Sequence, residues 1–232
     1  MLNEKKNKLF FRIFAGLIFL LMATAQYLIF LWVPEEKTLG VVQKIFYFHV
    51  GAAWVAFFAF LIVFVFSILY LATQERRWDR VSAASAEIGT VFTTIVLVTG
   101  PIWAKSSWNT WWTWEPRLTT SLILWFIYLA YILIRIFAGD IERKAKLAAV
   151  FGIIGFLDVP VVFYSVNWWS VSHPMLFEQG KMNLAPDMLL TLQVTVAAFT
   201  LLYFYLLGKG ISAFRMQDEV NKIKDRLRGI TD

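Results

Sequence analysis

Three features of the sequence predict an all-α polytopic membrane protein with six transmembrane helices. Hydrophobic residues make up 59 % and charged residues 16 % of a 232-residue chain, which is too apolar for a soluble domain and too long for a single anchor. The apolar residues fall into six runs of about 20 residues or more, each long enough at about 1.5 Å per residue to cross a hydrocarbon core of roughly 30 Å. The basic residues are shared unevenly among the connecting segments. One set of segments carries all 22 Lys and Arg except Lys37, Lys44, Lys105, Arg117 and Lys181, which predicts that this set, with both termini, is cytoplasmic.

Lys5, Lys6, Lys8 and Arg12 precede helix 1, expected over about Ile13 to Val33. Ala23-Thr24-Ala25 imitates a signal-peptidase site, but the apolar run continues through Trp32, so helix 1 is expected to be retained. Helix 2 is expected from Ile45 to Thr73, followed by the basic loop Gln74 to Arg80, and helix 3 from Ala84 to Trp103. Helix 4 starts at Pro116, a residue well tolerated at a first helical position, with Glu115 before it forced out of the helix, and runs to Ala138. Helix 5 spans Leu147 to Val166, and a longer outer loop, Asn167 to Asp187, leads to helix 6, Met188 to Leu207, with Asp187 as its N-cap. Glu87 and Arg135 lie near the cytoplasmic ends of their helices and are expected to snorkel. Residues 1–232 form one transmembrane domain. Residues 209–232 form a cytoplasmic tail, whose Val220, Ile223, Leu227 and Ile230 are read as a solvated extension of helix 6.

Several functions are excluded. The charge of +6 is scattered and forms no stripe for nucleic acid, and Gly208-Lys209-Gly210 is no phosphate-binding loop, so ATP energy would have to come from a partner. With no cysteine there is no disulfide, no thiolate ligand and no C-x-x-C-H attachment site, so any haem is held without thioether bonds.

The outer segment between helices 3 and 4 is the most unusual stretch. Five of the 11 tryptophans, Trp103, Trp108, Trp111, Trp112 and Trp114, are crowded into it. An interfacial belt needs only one or two per helix end. The density instead fits an aromatic platform for a flat apolar ligand with a polar rim. Trp108, Trp111, Trp112 and Glu115 stand at i, i+3, i+4 and i+7, the spacing of one face of a short helix lying on the membrane surface. Arg117 follows at the start of helix 4, where it reads equally as a partner for an anionic ligand or as a lipid-headgroup anchor. The two histidines, His49 in helix 2 and His173 in the outer loop after Trp168 and Trp169, fall on the same outer side. Singly each reads as an interfacial histidine. Together, beside an aromatic platform, they make a pair of axial haem ligands, with Met175 and Met182 as weaker alternatives to the second. Asp158, deep in helix 5 beside Pro160, reads equally as a functional carboxylate and as a donor to a carbonyl freed by the proline.

The stretch W-N-T-W-W-T-W-E resembles the W-G-x-x-W-x-W-D signature of the haem-handling proteins of cytochrome c biogenesis, with Asn109 at the glycine and Glu115 at the aspartate. Q-K-I-F-Y-F-H-V-G-A-A-W around His49 resembles the second helix of the CcmC type. G-F-L-D-V-P-V-V-F-Y-S-V-N-W-W-S-V-S-H, ending at His173, resembles its fifth helix and following histidine. Gly51 and Pro174 are small departures that leave both histidines in place. The resemblance covers the whole chain and implies a non-enzymatic haem-binding protein of the bacterial inner membrane. It implies non-covalent haem b, ligated by His49 and His173 on the periplasmic side, against Trp108, Trp111, Trp112, Trp114, Glu115, Arg117, Trp168 and Trp169. It further implies delivery to a periplasmic haem chaperone of the CcmE type, and association with ABC transporter subunits of the CcmA and CcmB types and a small CcmD-type subunit. The alternative reading is a b-type cytochrome subunit of a membrane oxidoreductase, although a single histidine pair at one surface is poorly suited to carrying electrons across the bilayer. A solute transporter with a tryptophan-lined vestibule is a third reading, and it lacks the repeats expected of that class.

Overall fold

A computed structural model describes residues 2–168, 177–178, 181–182 and 184–231 and bears out the six-helix reading. α1 (Leu2–Tyr27) runs on through a π-helical turn, Leu28–Trp32, and a 3-10 turn at Val41–Gln43 leads into α2 (Lys44–Thr73). α3 (Arg76–Trp108), α4 (Pro116–Phe137), α5 (Ile141–Trp168) and α6 (Pro186–Thr231) follow. Each of the six is long and apolar enough to cross a membrane. The only strands among the described residues are β1 (Phe177–Glu178) and β2 (Lys181–Met182), a two-residue antiparallel pair in the segment before α6.

Several helices outrun the apolar runs that predict them, because hydropathy marks where lipid ends and not where the backbone hydrogen bonds end. α3 begins at Arg76 and α5 at Ile141, in polar segments of good helix formers. α5 is capped by Asp140, whose Oδ1 accepts the Arg143 N–H at 2.9 Å, and such amide bonds hold this carboxyl below its usual range. α6 continues as one helix to Thr231, so the tail is helical, with Val220, Ile223 and Leu227 exposed on it. Asp187 is not the N-cap of α6: Pro186 already takes the first helical position and leaves Asp187 within the first turn.

α2 is central, packed against α3, α5 and α6; α4 lies on α5 and α3, and α1 on α6. Small residues let the helices approach, as membrane packing requires. At Gly89 of α3, a Cβ would stand 2.5 Å from Cε1 of Phe60 on α2, and Phe60 in turn stacks on Tyr128 of α4 at a ring separation of 3.6 Å. Hydroxyls add directed contacts. Ser85 donates to the Ala59 carbonyl and accepts from Tyr203, each at 2.8 Å, which joins α3 to α2 and α6. Ser67, Ser82 and Tyr131 form a chain across α2, α3 and α4 with 3.0 Å links.

At the end of the bundle away from the tryptophans, Arg135 does not snorkel. Its guanidinium donates to both oxygens of Asp79, at 2.6 and 3.1 Å, and Asp79 also pairs with Arg76. Arg76 and Arg80 reach Asp218 at 2.9 and 3.1 Å, so two carboxylates and three guanidiniums fasten α3, α4 and α6 together. The partner supplied by α3 outweighs the pull of water on the Arg135 side chain. Glu87 stays exposed.

Candidate functional site

α3 carries the site. It passes through Pro101 and ends at Trp108, where Asn109 takes the left-handed conformation (φ 58°, ψ 22°) that glycine or asparagine accepts at a helix end. Lys105 Nζ holds this end by donating to the Asn109 side-chain oxygen at 2.8 Å. From Asn109 to Glu115 the chain is not helical, and Glu115 is extended (φ −62°, ψ 148°) ahead of Pro116, as the proline rule predicts. The flat surface helix with Trp108, Trp111, Trp112 and Glu115 on one face is therefore not formed. The left-handed turn at Asn109 breaks the i, i+3, i+4 register that the spacing would need.

The tryptophans are sorted differently. Trp103 and Trp108, at the top of α3, meet edge to face at 5.0 Å, and Trp112 meets Trp114 at 5.8 Å. Trp111 and Trp114 are 59 % and 76 % exposed, so they form an outward edge, while Trp103, Trp108 and Trp112 are half-buried.

Unmet hydrogen-bonding capacity is concentrated here. Among the described residues, seven buried side-chain nitrogens or oxygens have no partner, and five of these lie in this one stretch: Trp103 Nε1, Ser107 Oγ, Trp112 Nε1, Glu115 Oε2 and Thr119 Oγ1. Buried polar atoms are normally satisfied, so this stretch holds hydrogen-bonding capacity that the described residues leave unused. Arg117, half-buried at the start of α4, makes no ion pair among the described residues, although Glu115 is only two positions away. A cation there is the right complement for an anionic group.

His49 lies one turn into α2, half-buried against α3. Its Nδ1 is 2.9 Å from Thr99 Oγ1, and its Cε1 edge lies over Gly100, where a Cβ would be only 3.3 Å away. The guanidinium of Arg117 is near enough to act on the imidazole electrostatically. His49 and Arg117, far apart in sequence, thus share one end of the bundle. Gly51 lets α6 close in: a Cβ there would stand 3.1 Å from the Phe199 ring. The turn leading into α2 is fixed by Glu36, whose carboxylate accepts the Thr38 and Leu39 amides at 2.7 and 2.6 Å; these bonds hold its pKa below the usual carboxylate value.

Trp169, His173 and Met175 lie outside the described residues, as do the side chains of Trp168 and Met182. Asp158 is half-buried in α5, and its Oδ2 has no partner among the described residues. Sequence reading missed Thr99, Ser107 and Thr119. The signal for Thr99 was its position one turn below Trp103 on the same helix.

These features define a class, a six-helix polytopic membrane protein with a tryptophan-rich stretch between α3 and α4 as its candidate site. The chain belongs to the family described as haem exporter protein C, whose model matches residues 4–226. It is 34 % identical to a cytochrome c biosynthesis ccmC-like mitochondrial protein of Marchantia polymorpha, over 85 % of this chain and 82 % of that one. It is 33 % identical to the haem exporter protein C of Bradyrhizobium diazoefficiens, over 73 % and 65 %, and 36 % identical to that of Escherichia coli K12, over 60 % and 57 %. The chain therefore aligns with less than two thirds of either bacterial relative's length. The relatives' names are those of export and biogenesis proteins.

Proposed function

We propose that this chain binds haem, as cargo, at the periplasmic face of the bacterial inner membrane and delivers it to a periplasmic haem chaperone of the CcmE type, without itself catalysing a reaction. The gathering of unpartnered donors and half-buried indoles in the one stretch that contains Arg117 supports this reading best. Haem is a flat apolar ring with two carboxylates at one edge. Indole faces suit the ring, while the Trp103 and Trp112 N–H groups, the Ser107 and Thr119 hydroxyls and the Arg117 guanidinium suit the propionates. The macrocycle brings its own equatorial nitrogens, so the protein need supply only axial ligands, which we assign to His49 and His173, with Trp168 and Trp169 beside the second. The chain has no cysteine and so makes no thioether bond to haem, which supports non-covalent binding.

The uneven basic residues support cytoplasmic termini and a periplasmic site. The exposed Trp111 and Trp114 form the edge that meets the chaperone, with Glu115 next to it in the chain. Energy for release comes from ABC transporter subunits of the CcmA and CcmB types, assembled with a CcmD-type subunit.

The test is the oxidised and reduced absorption spectrum of purified protein, with haem content measured beside chaperone loading. His49→Ala and His173→Ala should each lose most of the haem, and full haem in the double variant would overturn the ligand assignment. Trp114→Ala should keep haem and slow its transfer.

A further inference from the structure

We propose that Thr99 and Gly100 of α3 are positioning residues that fix the tautomer and the rotation of the His49 ring, so that Nε2 is presented as the iron ligand. This rests on His49 being an axial ligand.

The assignment follows from where one proton must sit. A threonine hydroxyl has a single hydrogen, and Thr99 Oγ1 lies 2.7 Å from the Ile95 carbonyl oxygen, with the Val96 carbonyl further off at 3.4 Å. A carbonyl can only accept, so the hydroxyl proton points back along α3. The oxygen that His49 Nδ1 meets at 2.9 Å therefore offers a lone pair, and the proton in that bond belongs to Nδ1. A neutral imidazole carries one N–H, so Nε2 is the unprotonated nitrogen, the form in which histidine ligates a metal. Gly100 fixes the rotation. Its bare Cα lets the ring edge lie against α3, where even a methyl group would sit 3.3 Å from Cε1. The two neighbouring residues thus set both the identity of the ligating nitrogen and the plane in which it points.

The experiment uses the full chain in detergent, labelled with 15N-histidine. In haem-free protein, 15N NMR should show His49 as the Nδ1–H tautomer, with His173→Ala identifying the signal. Thr99→Val, which keeps the shape and removes the hydroxyl, should lose that preference, and Thr99→Ser should restore it. With haem bound, Thr99→Val should weaken affinity roughly 10- to 100-fold and shift the low-spin ferric EPR signal, with Ser again restoring both. Gly100→Ala should shift the EPR signal while keeping the Nδ1–H tautomer, because it tilts the ring and leaves the hydroxyl. A His49 signal in the Nε2–H form, or a Thr99→Val protein with wild-type tautomer, affinity and EPR, overturns the proposal. If His49→Ala loses haem while Thr99→Val changes nothing, only the positioning role falls. If His49→Ala keeps haem with an unchanged spectrum, the ligand assignment itself falls.

Discussion

Asp79 is 2 % exposed and holds two guanidiniums, so its replacement by alanine strands Arg135, itself only 15 % exposed, without its carboxylate. Removing one partner of a buried pair costs about 3–5 kcal/mol, whereas replacing both with apolar residues of similar volume is near neutral. Asp79→Ala should therefore lower the thermal midpoint in detergent, followed by tryptophan fluorescence, and Asp79→Leu combined with Arg135→Met should recover most of the loss. A single variant that melts like wild type would show that the pair contributes nothing. Glu36 makes a prediction about pH. Its folded pKa lies below its unfolded value, so its contribution is complete above an unfolded pKa of about 4.3 and fades as pH falls through the lower folded value. The amide NMR shifts of Thr38 and Leu39 should move only in that acid window, and Glu36→Gln should abolish the movement. A movement that persists in the glutamine variant would assign it to another group.

Helix ends near the site are set by local devices, and the sequence reading was sound at Pro116 but not at Pro186, where Asp187 was expected as the cap. Pro116 placed the start of α4, and the extended backbone of Glu115 followed from it. The end of α3 was misread because Asn109, unlike proline, permits several conformations; its left-handed turn was recognisable only from the backbone. Glycine should fit that turn at least as well as asparagine, and a β-branched residue should not. Asn109→Gly is expected to match wild type in thermal midpoint and haem content, and Asn109→Val to lose both. Equal behaviour of the two variants would show that the turn is not held by residue 109. Close helix contact follows the same logic at Gly89, where the Phe60 ring occupies the space a side chain would need. No sequence pattern identified the residue of α2 that lies opposite it.

Across the whole molecule, the absence of cysteine makes topology directly testable. A cysteine at the exposed Trp114 should react with an impermeant maleimide added outside intact cells, and one at Met216 on the long tail of α6 should react only after lysis. Labelling of Met216 alone from outside would reverse the assigned orientation, and labelling of both would contradict the three crossings between them. The number of helices, the family and the crowding of aromatic residues between α3 and α4 were legible in the chain, because hydropathy, charge and motif order are properties of linear sequence. Bringing His49 to Thr99 across fifty residues, and Arg135 to Asp79 across fifty-six, depended on which helix faces turn inward. In a lipid solvent both faces of a helix are apolar, so hydrophobic periodicity cannot distinguish them. The packing of small residues, the hydroxyl contacts and the buried ion pair decided it.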